Sequence, residues 1–250
     1  MTRLIVSGCN GRMGRTVSRI CGEDDGITVV AGVDLYGVKL DAYPVFTDVS
    51  CIDVEADAAI DFTNAAALEP LLDYCVRVSL PVVLCTTGYS ESQLALIRKA
   101  SGSIPVFRSF NMSIGINLLT DLIKKAVTVL GDDFDIEIVE KHHKTKLDSP
   151  SGTALMLADA ARDARTTESD YVYDRHAVRQ ERRKSEIGIS AVRGGTIVGE
   201  HTVIFAGPDE IIELKHTACS RDIFASGAVR AAKFISTVKT PGMYDMRDII

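Results

Sequence analysis

Residues 4–14 read Leu-Ile-Val-Ser-Gly-Cys-Asn-Gly-Arg-Met-Gly. Three apolar residues precede glycines at positions 8, 11 and 14, and a helical pattern through Val17 and Ile20 follows. A strand, a glycine-rich turn and a helix in this order are typical of a dinucleotide-binding βαβ unit. Glycines allow a tight turn whose backbone N–H groups approach a pyrophosphate without a Cβ clash. The spacing is G-x-x-G-x-x-G and not the commoner G-x-G-x-x-G, so a glycine turn without a ligand stays an alternative.

A second apolar run, residues 27–33, ends in Asp34, twenty residues beyond the third glycine. A carboxylate at this place accepts hydrogen bonds from the ribose hydroxyls of NAD. The next residue is Leu35 and not an arginine, so a 2′-phosphate would meet Asp34 with little compensation, unless Lys39 or Arg12 reaches it. The sequence therefore predicts NADH and/or NADPH as cofactor and favours NADH.

Further apolar strands at 58–62, 81–85 and 106–107 alternate with helical segments, and Ser90 with Gln93 forms the pattern of a capping box. Near-continuous apolar strands between helices predict a parallel sheet covered on both faces, with ligands at the carboxyl ends of its strands. The residues expected at that edge are Thr63, Thr86, Thr87, Gly88 and Asn111. Each of these also fits a helix cap without a ligand.

The second half changes character after a long helix at about 115–130. The β-rich runs lie at 134–140, 187–192, 196–205 and 210–217, a short helix at 153–164, a loop at 166–185 and a last helix at 225–238. We predict an α/β protein with an N-terminal Rossmann-type dinucleotide-binding domain (1–113 plus 222–250) and a mostly antiparallel α+β second domain (114–221). Because one face of such a sheet needs a cover, a partner subunit is expected there.

Residues 140–153 read Glu-Lys-His-His-Lys-Thr-Lys-Leu-Asp-Ser-Pro-Ser-Gly-Thr, and an apolar helical run follows. Asp148, Ser149 or Ser151 can cap that helix, and Pro150 suits its first turn. Cationic side chains beside a helix N-terminus predict a site for a carboxylate or phosphate. A solvated basic turn is the alternative interpretation.

The same stretch offers groups for proton transfer and for binding. His142 or Lys146 can supply the proton that accompanies a hydride, and Gly152 with Thr153 can hold a carboxylate. Strand alternation would direct His142 and His143 to opposite sides, unless the strand has already ended. From the residues alone we predict a reductase of a small anionic substrate.

The composition excludes several classes of protein. A net charge of −6 argues against a general nucleic-acid binder. The six cysteines show neither C-x-x-C pairs nor metal-ligand spacing, so we expect reduced thiols, no metal site and a cytoplasmic protein. No signal peptide and no apolar run of membrane-spanning length are evident, so no membrane partner is expected.

Several motifs together resemble the 4-hydroxy-tetrahydrodipicolinate reductase (dihydrodipicolinate reductase) family over the whole chain. They are Gly-x-x-Gly-Arg-Met-Gly at 8–14, Asp61-Phe62-Thr63, Thr86-Thr87-Gly88, Asn111-x-Ser-x-Gly-x-Asn117, the stretch 140–154, Val198-Gly-Glu-His201, His216-x-Ala-x-Ser-Arg221 and Asp245-Met-Arg-Asp248. The resemblance implies hydride transfer from NAD(P)H to a cyclic dicarboxylic imine, giving tetrahydrodipicolinate, on the diaminopimelate route to lysine. It also implies a homotetramer built through the sheet of the second domain.

The resemblance assigns roles to individual positions. His142 looks like a proton donor and acceptor, Lys146 like a proton donor, and His143, Gly152 and Thr153 like substrate-binding residues. The positions that fall where the family binds its cofactor are Gly8, Cys9, Asn10, Gly11, Arg12, Met13, Asp34, Cys85, Thr86, Thr87, Ser109, Phe110, Asn111 and Met112. Cys85 replaces a glycine that is usual in the family, and Arg108-Ser-Phe110 replaces a stretch of smaller residues.

Two other functions fit part of the pattern. Another dehydrogenase of this architecture would keep the glycine turn and Asp34, but it would not need His-His-x-x-Lys before Ser-Gly-Thr. A dinucleotide-sensing protein without turnover would bind the cofactor and would not depend on His142 or Lys146.

Overall fold

The computed structural model describes residues 1–250, which divide into two compact units, 1–114 with 222–250 and 115–221. The strands are β1 (Thr2–Ser7), β2 (Ile27–Val33), β3 (Val45–Phe46), β4 (Ala58–Asp61), β5 (Val82–Leu84), β6 (Pro105–Arg108), β7 (Asp135–His142), β8 (Asp170–Val172), β9 (Glu186–Arg193), β10 (Gly199–Ala206), β11 (Ile211–Ala218) and β12 (Gly242–Tyr244). The α-helices are α1 (Arg12–Gly22), α2 (Leu68–Arg77), α3 (Glu91–Ser101), α4 (Ile114–Leu130), α5 (Gly152–Ala164) and α6 (Asp222–Ile235). No helix has both the length and the apolar composition needed to cross a bilayer.

The first unit contains a seven-stranded sheet in the order β12-β6-β5-β4-β1-β2-β3. All its strand pairs are parallel, which confirms the predicted Rossmann-type sheet. The reversal of strand order beside β1 places the glycine turn and the ends of β4 and β5 at one carboxyl edge.

Alternating side chains of this sheet supply two apolar cores. Leu4 and Val6 pack on the face covered by α1 and α6, and Ile5 packs on the face covered by α2 and α3. Because both faces are covered, the strands are apolar at nearly every position, which is why they can be recognised in the sequence. The capping box predicted at Ser90 is present at the start of α3.

The second unit contains a five-stranded sheet in the order β11-β10-β7-β9-β8. Two of its pairs, β10–β11 and β7–β10, are antiparallel, whereas β7–β9 and β8–β9 are parallel. The sheet is therefore mixed, and the expectation of mostly antiparallel pairing needs this correction. The reason is that α5 lies in the chain between β7 and β9 and returns it in the same direction. Helices α4 and α5 supply the apolar side chains that cover one face.

The segment 166–185, expected to be a loop throughout, contains the short edge strand β8. Arg182 holds the end of this segment against the sheet. Its guanidinium contacts the carboxylates of Asp135 and Glu137 at 2.6 and 3.0 Å. It also donates to the carbonyl oxygens of Ile136 and Glu186 at 3.1 and 2.6 Å. A run of basic residues that the sequence presented as solvated is thus partly structural.

Candidate active site

Strand β7 carries a row of alternate side chains into the core of the second unit. Ile136, Ile138, Glu140 and His142 are all buried on this face. Apolar residues begin the row, and two ionisable residues end it where the strand stops at His142. An acid and a histidine are thereby placed side by side at the margin of an apolar core.

Each carboxylate oxygen of Glu140 makes two hydrogen bonds. Oε1 accepts from the Ser151 N–H at 2.9 Å and from Arg193 Nη2 at 2.7 Å. Oε2 accepts from Arg193 Nη1 at 2.7 Å and lies 2.6 Å from His142 Nδ1. Burial raises the pKa of Glu140, but the hydrogen bonds from Arg193 and His142 outweigh burial, so its pKa lies below the usual value. The carboxylate is therefore ionised at neutral pH.

Helix α5 begins beside this carboxylate. Ser151 is the N-cap, and its Oγ accepts a hydrogen bond from the Ala154 N–H at 3.1 Å. Pro150 precedes the cap and does not lie in the first turn as expected. A Cβ added to Gly152 would meet nothing within 4 Å, so the backbone at the first helical residue is open. The unpaired N–H groups of a helix start attract anions.

A second buried histidine, His201, lies against this cluster. Strand register places His201 opposite Glu140 on one side and opposite His216 on the other. Its Nε2 lies 3.0 Å from Ser151 Oγ, and its ring packs edge-on against His142 with centroids 5.2 Å apart. Burial, followed by the charge of His142, lowers the pKa of His201 to about 4. His201 is therefore neutral in the folded protein at pH 7.

The loop between β7 and α5 carries the other candidate residues. Lys146 Nζ lies 2.8 Å from the Asp148 carboxylate, and this hydrogen bond lowers the pKa of Asp148. His143 Nδ1 lies 2.8 Å from Thr145 Oγ1, and the backbone N–H of Lys146 donates to the His143 carbonyl at 3.1 Å. The loop is thus ordered by contacts among its own residues.

The second unit accordingly brings the predicted catalytic and substrate-binding residues into one continuous segment. They are His142, His143, Lys146, Gly152 and Thr153. Sequence reasoning assigned no role to four residues that hold this segment together, Glu140, Ser151, Arg193 and His201. A signal was present for Glu140, which shares its strand parity with Ile136 and Ile138 and so had to face the core.

In the first unit the glycine turn joins β1 to α1. Gly8 has a φ of 80°, a conformation that favours glycine, and its N–H donates to the Val33 carbonyl at 2.8 Å. A Cβ on Gly14 would lie 2.7 Å from Cys9 Cα and would overlap the Gly8 carbonyl oxygen. The turn and the start of α1 are therefore packed backbone against backbone, as a dinucleotide cradle requires.

The acidic residue after β2 lies against this turn. Asp34 Oδ2 accepts a hydrogen bond from the Asn10 N–H at 3.1 Å. The Asn10 side chain donates to the Val38 carbonyl at 2.9 Å, which ties the turn to the segment after Asp34. Leu35 and Tyr36 are 80% and 77% exposed, so no cation adjoins Asp34 in sequence on that side.

Asp61 organises the ends of β4 and β5. It is fully buried, and its Oδ1 and Oδ2 accept hydrogen bonds from the hydroxyls of Thr63 and Thr86 at 2.6 and 2.8 Å. Burial raises the pKa of Asp61, and the hydroxyl donors oppose that rise. Burial also raises the pKa of the Cys85 thiol well above its usual value, so this cysteine stays protonated. Thr87 is exposed at the same edge.

The residues after β6 form a compact turn. Ser109 Oγ donates to the Asn111 carbonyl at 3.0 Å, and Asn111 Oδ1 accepts from the Ser113 N–H at 2.8 Å. Phe110 is 78% exposed and has the Arg108 guanidinium 5.0 Å from its ring centroid, whereas Met112 is buried in the core. The predicted cofactor residues thus all belong to the first unit. Neither unit contains a group of three or more His, Cys, Asp or Glu residues that could hold a metal ion.

Comparison with known proteins assigns both parts of the chain to one family. The family described as dihydrodipicolinate reductase, N-terminus, matches residues 2–112, and the one described as dihydrodipicolinate reductase, C-terminus, matches residues 115–250. The 4-hydroxy-tetrahydrodipicolinate reductase of Caldanaerobacter subterraneus subsp. tengcongensis is 50% identical over 250 residues, which are 100% of this chain and 98% of that protein. The enzyme of the same name from Clostridium novyi is 48% identical over the same coverage.

A solved structure supports the same assignment at the level of the fold. It is a dihydrodipicolinate reductase from Paenisporosarcina sp. TG-14 with dipicolinate bound, and it matches with a TM-score of 0.81, 22% identity and full coverage of both chains. A probable dehydrogenase from Thermotoga maritima matches less well, with a TM-score of 0.62 and 14% identity over 98% of this chain and 92% of that one. On the sequence matches over its whole length, the chain belongs to the dihydrodipicolinate reductase family.

Proposed function

We propose that this chain carries out the reaction of its family, the NAD(P)H-dependent reduction of 4-hydroxy-tetrahydrodipicolinate to tetrahydrodipicolinate in lysine biosynthesis through diaminopimelate. The observation that carries the proposal is the His142 imidazole, held by a buried carboxylate beside the start of α5. A proton-transferring group and a carboxylate-binding helix end are what reduction of a cyclic dicarboxylic imine requires.

The first unit is proposed to be the dinucleotide-binding domain. The glycine cradle fits a pyrophosphate, since the close approach of Gly8 and Gly14 leaves no room for side chains. The bound reduced nicotinamide supplies the hydride. Asp34 keeps Oδ1 for a ribose hydroxyl, because its strongest contact with Asn10 uses Oδ2. With Leu35 following it, Asp34 favours NADH over NADPH.

The other cofactor residues are proposed on their positions at the same unit's turns. They are Cys9, Gly11, Arg12, Met13, Cys85, Thr86, Thr87, Ser109, Phe110, Asn111 and Met112. Thr86 donates its hydroxyl proton to Asp61, so its oxygen presents lone pairs to any further partner.

The second unit is proposed to be the domain for substrate binding and oligomerisation. Gly152 and Thr153 at the start of α5 would hold one carboxylate of a small dicarboxylate substrate, and His143 would contact the substrate from the preceding loop. His142 serves as proton donor and acceptor and Lys146 as proton donor, and which of the two delivers the proton to the product is left to the kinetics below. The ammonium of Lys146 is kept in place by Asp148.

We further propose a cytoplasmic homotetramer assembled through the second sheet. The face opposite to the core carries Val139, Thr202 and Ile204, which are partly exposed in the single chain. A partner sheet would cover them. Light scattering should give the mass of four chains, and a monomer at micromolar concentration would contradict this proposal.

The test of the activity is turnover of freshly generated 4-hydroxy-tetrahydrodipicolinate, followed as loss of NADH or NADPH. The Lys146→Ala variant should lose about a hundredfold or more in kcat, the scale of a lost proton donor. Lys144→Ala is the matched control, because Lys144 is exposed in the same loop and has no assigned role. Both variants should bind NADH as the wild type does. Cofactor binding without turnover in the wild type would refute the proposal, and the ratio of rates ranks the two cofactors.

A further inference from the structure

The second unit contains a buried carboxylate that makes no direct contribution to the proposed reaction. Glu140 is fully buried, and both its oxygens are occupied by Arg193, Ser151 and His142. No lone pair is left in good geometry for a substrate. Because a charge in such a place is costly unless it is well paired, a functional reason for it is expected.

We infer that Glu140 is a positioning residue that fixes the tautomer and the orientation of the His142 imidazole. The inference rests on the proposed role of His142 in proton transfer. An ionised carboxylate accepts hydrogen bonds and cannot donate them, so Nδ1 of His142 carries the proton in the 2.6 Å contact. In the neutral ring Nε2 then keeps its lone pair, and it is the nitrogen that exchanges a proton with the substrate.

Arg193 keeps Glu140 in the form that this assignment needs. Its guanidinium spans both carboxylate oxygens at 2.7 Å, the bidentate geometry that favours the ionised acid. Without that fork, burial would dominate and raise the pKa of Glu140. A protonated Glu140 could donate to Nδ1 and so reverse the tautomer of His142. Arg193 also donates to the Asp148 carbonyl at 2.7 Å, which anchors the loop that carries Lys146.

The same carboxylate links the histidine to the start of α5. Its Oε1 accepts the N–H of Ser151, the N-cap that immediately precedes Gly152 and Thr153. Glu140 is therefore bonded at one oxygen to the proton-transferring ring and at the other to the helix end proposed to hold the substrate carboxylate. One side chain thus sets the spacing between the two.

The neighbours of His142 restrict rotation of its ring. A Cβ on Gly199 would lie 3.1 Å from Nε2, so the backbone of β10 approaches the ring closely on that side. The His201 ring packs edge-on against it, and Gly194 donates its N–H to the His142 carbonyl at 2.9 Å. With Glu140 holding Nδ1, the ring has a single orientation in the folded unit.

The direct test is the ¹⁵N chemical shift of the two ring nitrogens of His142, recorded on the full-length protein. At about pH 8.5, above the ordinary pKa of histidine, wild-type His142 should show a protonated Nδ1 and an unprotonated Nε2. The resonances are assigned by their loss in His142→Gln. A wild-type protein with the proton on Nε2 alone would overturn the inference, whatever any variant does.

The second test compares Glu140→Gln with Glu137→Gln, an acid of the same strand that faces away from the core and pairs with Arg175 and Arg182. The amide in Glu140→Gln can donate to Nδ1, so the tautomer should become mixed or reversed. We expect kcat to fall about a hundredfold, within the range for misplaced acid–base groups, with KM for NADH unchanged. Glu137→Gln should keep the wild-type tautomer and kcat and lose stability only. Should Glu140→Gln not fold, Arg193→Lys replaces it, because lysine keeps the charge and loses the fork.

The outcomes separate this inference from the proposed function. Unchanged kcat and an unchanged tautomer in Glu140→Gln, with an active wild type, would refute the positioning role and leave the reductase assignment intact. An inactive wild type would refute the proposed function, and the tautomer measurement would still decide whether Glu140 orients His142. A fall in kcat that Glu137→Gln reproduces would mark the effect as general destabilisation and would count against the inference.

Discussion

Replacement of Gly14 by alanine tests whether the glycine turn is the dinucleotide cradle. The new Cβ would lie 2.7 Å from Cys9 Cα and 2.8 Å from the Gly8 carbonyl carbon, both backbone atoms. Ordinary contact begins at 3.4 Å, so the turn has to move by about 0.7 Å (3.4 − 2.7). Backbone cannot rotate away as a side chain can, and therefore the displacement is transmitted to the N–H groups that would face the pyrophosphate.

The magnitude follows from two opposing effects. Overpacking of this kind costs about 1–3 kcal/mol, whereas alanine gains about 1 kcal/mol over glycine within a helix. Gly22→Ala isolates the second effect, because Gly22 ends the same helix and an added Cβ there would meet nothing within 4 Å. We expect Gly14→Ala to be less stable than Gly22→Ala by about 1–3 kcal/mol, or about 2–4 °C in Tm for each kcal/mol. The affinity for NADH should fall about tenfold or more, the equivalent of about 1.4 kcal/mol.

Two measurements on both variants check this prediction. Fluorescence titration with NADH, without substrate, gives Kd, and thermal unfolding without cofactor gives Tm. Wild-type affinity in Gly14→Ala would refute the cradle argument, since the turn would then have moved without consequence for the cofactor. Equal losses of affinity in Gly14→Ala and Gly22→Ala would refute it as well, because the clash would not be their cause.

Three further predictions concern the stability of the two units. The folded pKa of His201 is about 4 and its unfolded pKa about 6.5, so the free energy of unfolding should fall by about 3 kcal/mol as pH drops from 6.5 to 4. Urea titrations should show that His201→Gln removes much of that slope, and an unchanged slope would refute the burial argument. Gly227→Ala would overlap the Met112 carbonyl oxygen and should cost about 1–3 kcal/mol, which a wild-type Tm would contradict. Arg182→Ala leaves several buried acceptors unpaired and should cost about 2–3 kcal/mol in urea unfolding. The exposed Arg179→Ala should be neutral, and equal effects would show that the network contributes little.

The first unit was predictable because its information is local. A strand buried on both faces is apolar at successive positions, and a glycine that packs on backbone has no substitute, so Leu4 to Gly14 identify their own structure. Ser90 and Gln93 likewise form their capping box across three residues. Where the partners are near in the sequence, the pattern and the structure agree.

The arrangement around His142 was less accessible because its partners are distant in the sequence. Arg193 is separated from Glu140 by 53 residues, and His201 meets Glu140 only through the register of β7 with β10. That register depends on the whole apolar face of the sheet, not on any short motif. The parallel pairing of β7 with β9 was missed for the same reason. The catalytic and substrate-binding roles of individual residues stay predictions until the variants are measured.

The acidic character of the chain explains why the carboxylates of the candidate active site are paired. The chain has a net charge of −6, yet its family reaction brings together an anionic dinucleotide and a dicarboxylate. Glu140 is neutralised by Arg193 and Asp148 by Lys146, so neither carboxylate repels an approaching anion. The two pairs differ in exposure. Glu140 is fully buried, whereas the Asp148 side chain is 58% exposed, and an exposed pair contributes only about 0–1 kcal/mol. A substrate carboxylate can therefore displace Asp148 from Lys146 at little cost, while the Arg193–Glu140 pair stays intact and continues to orient His142.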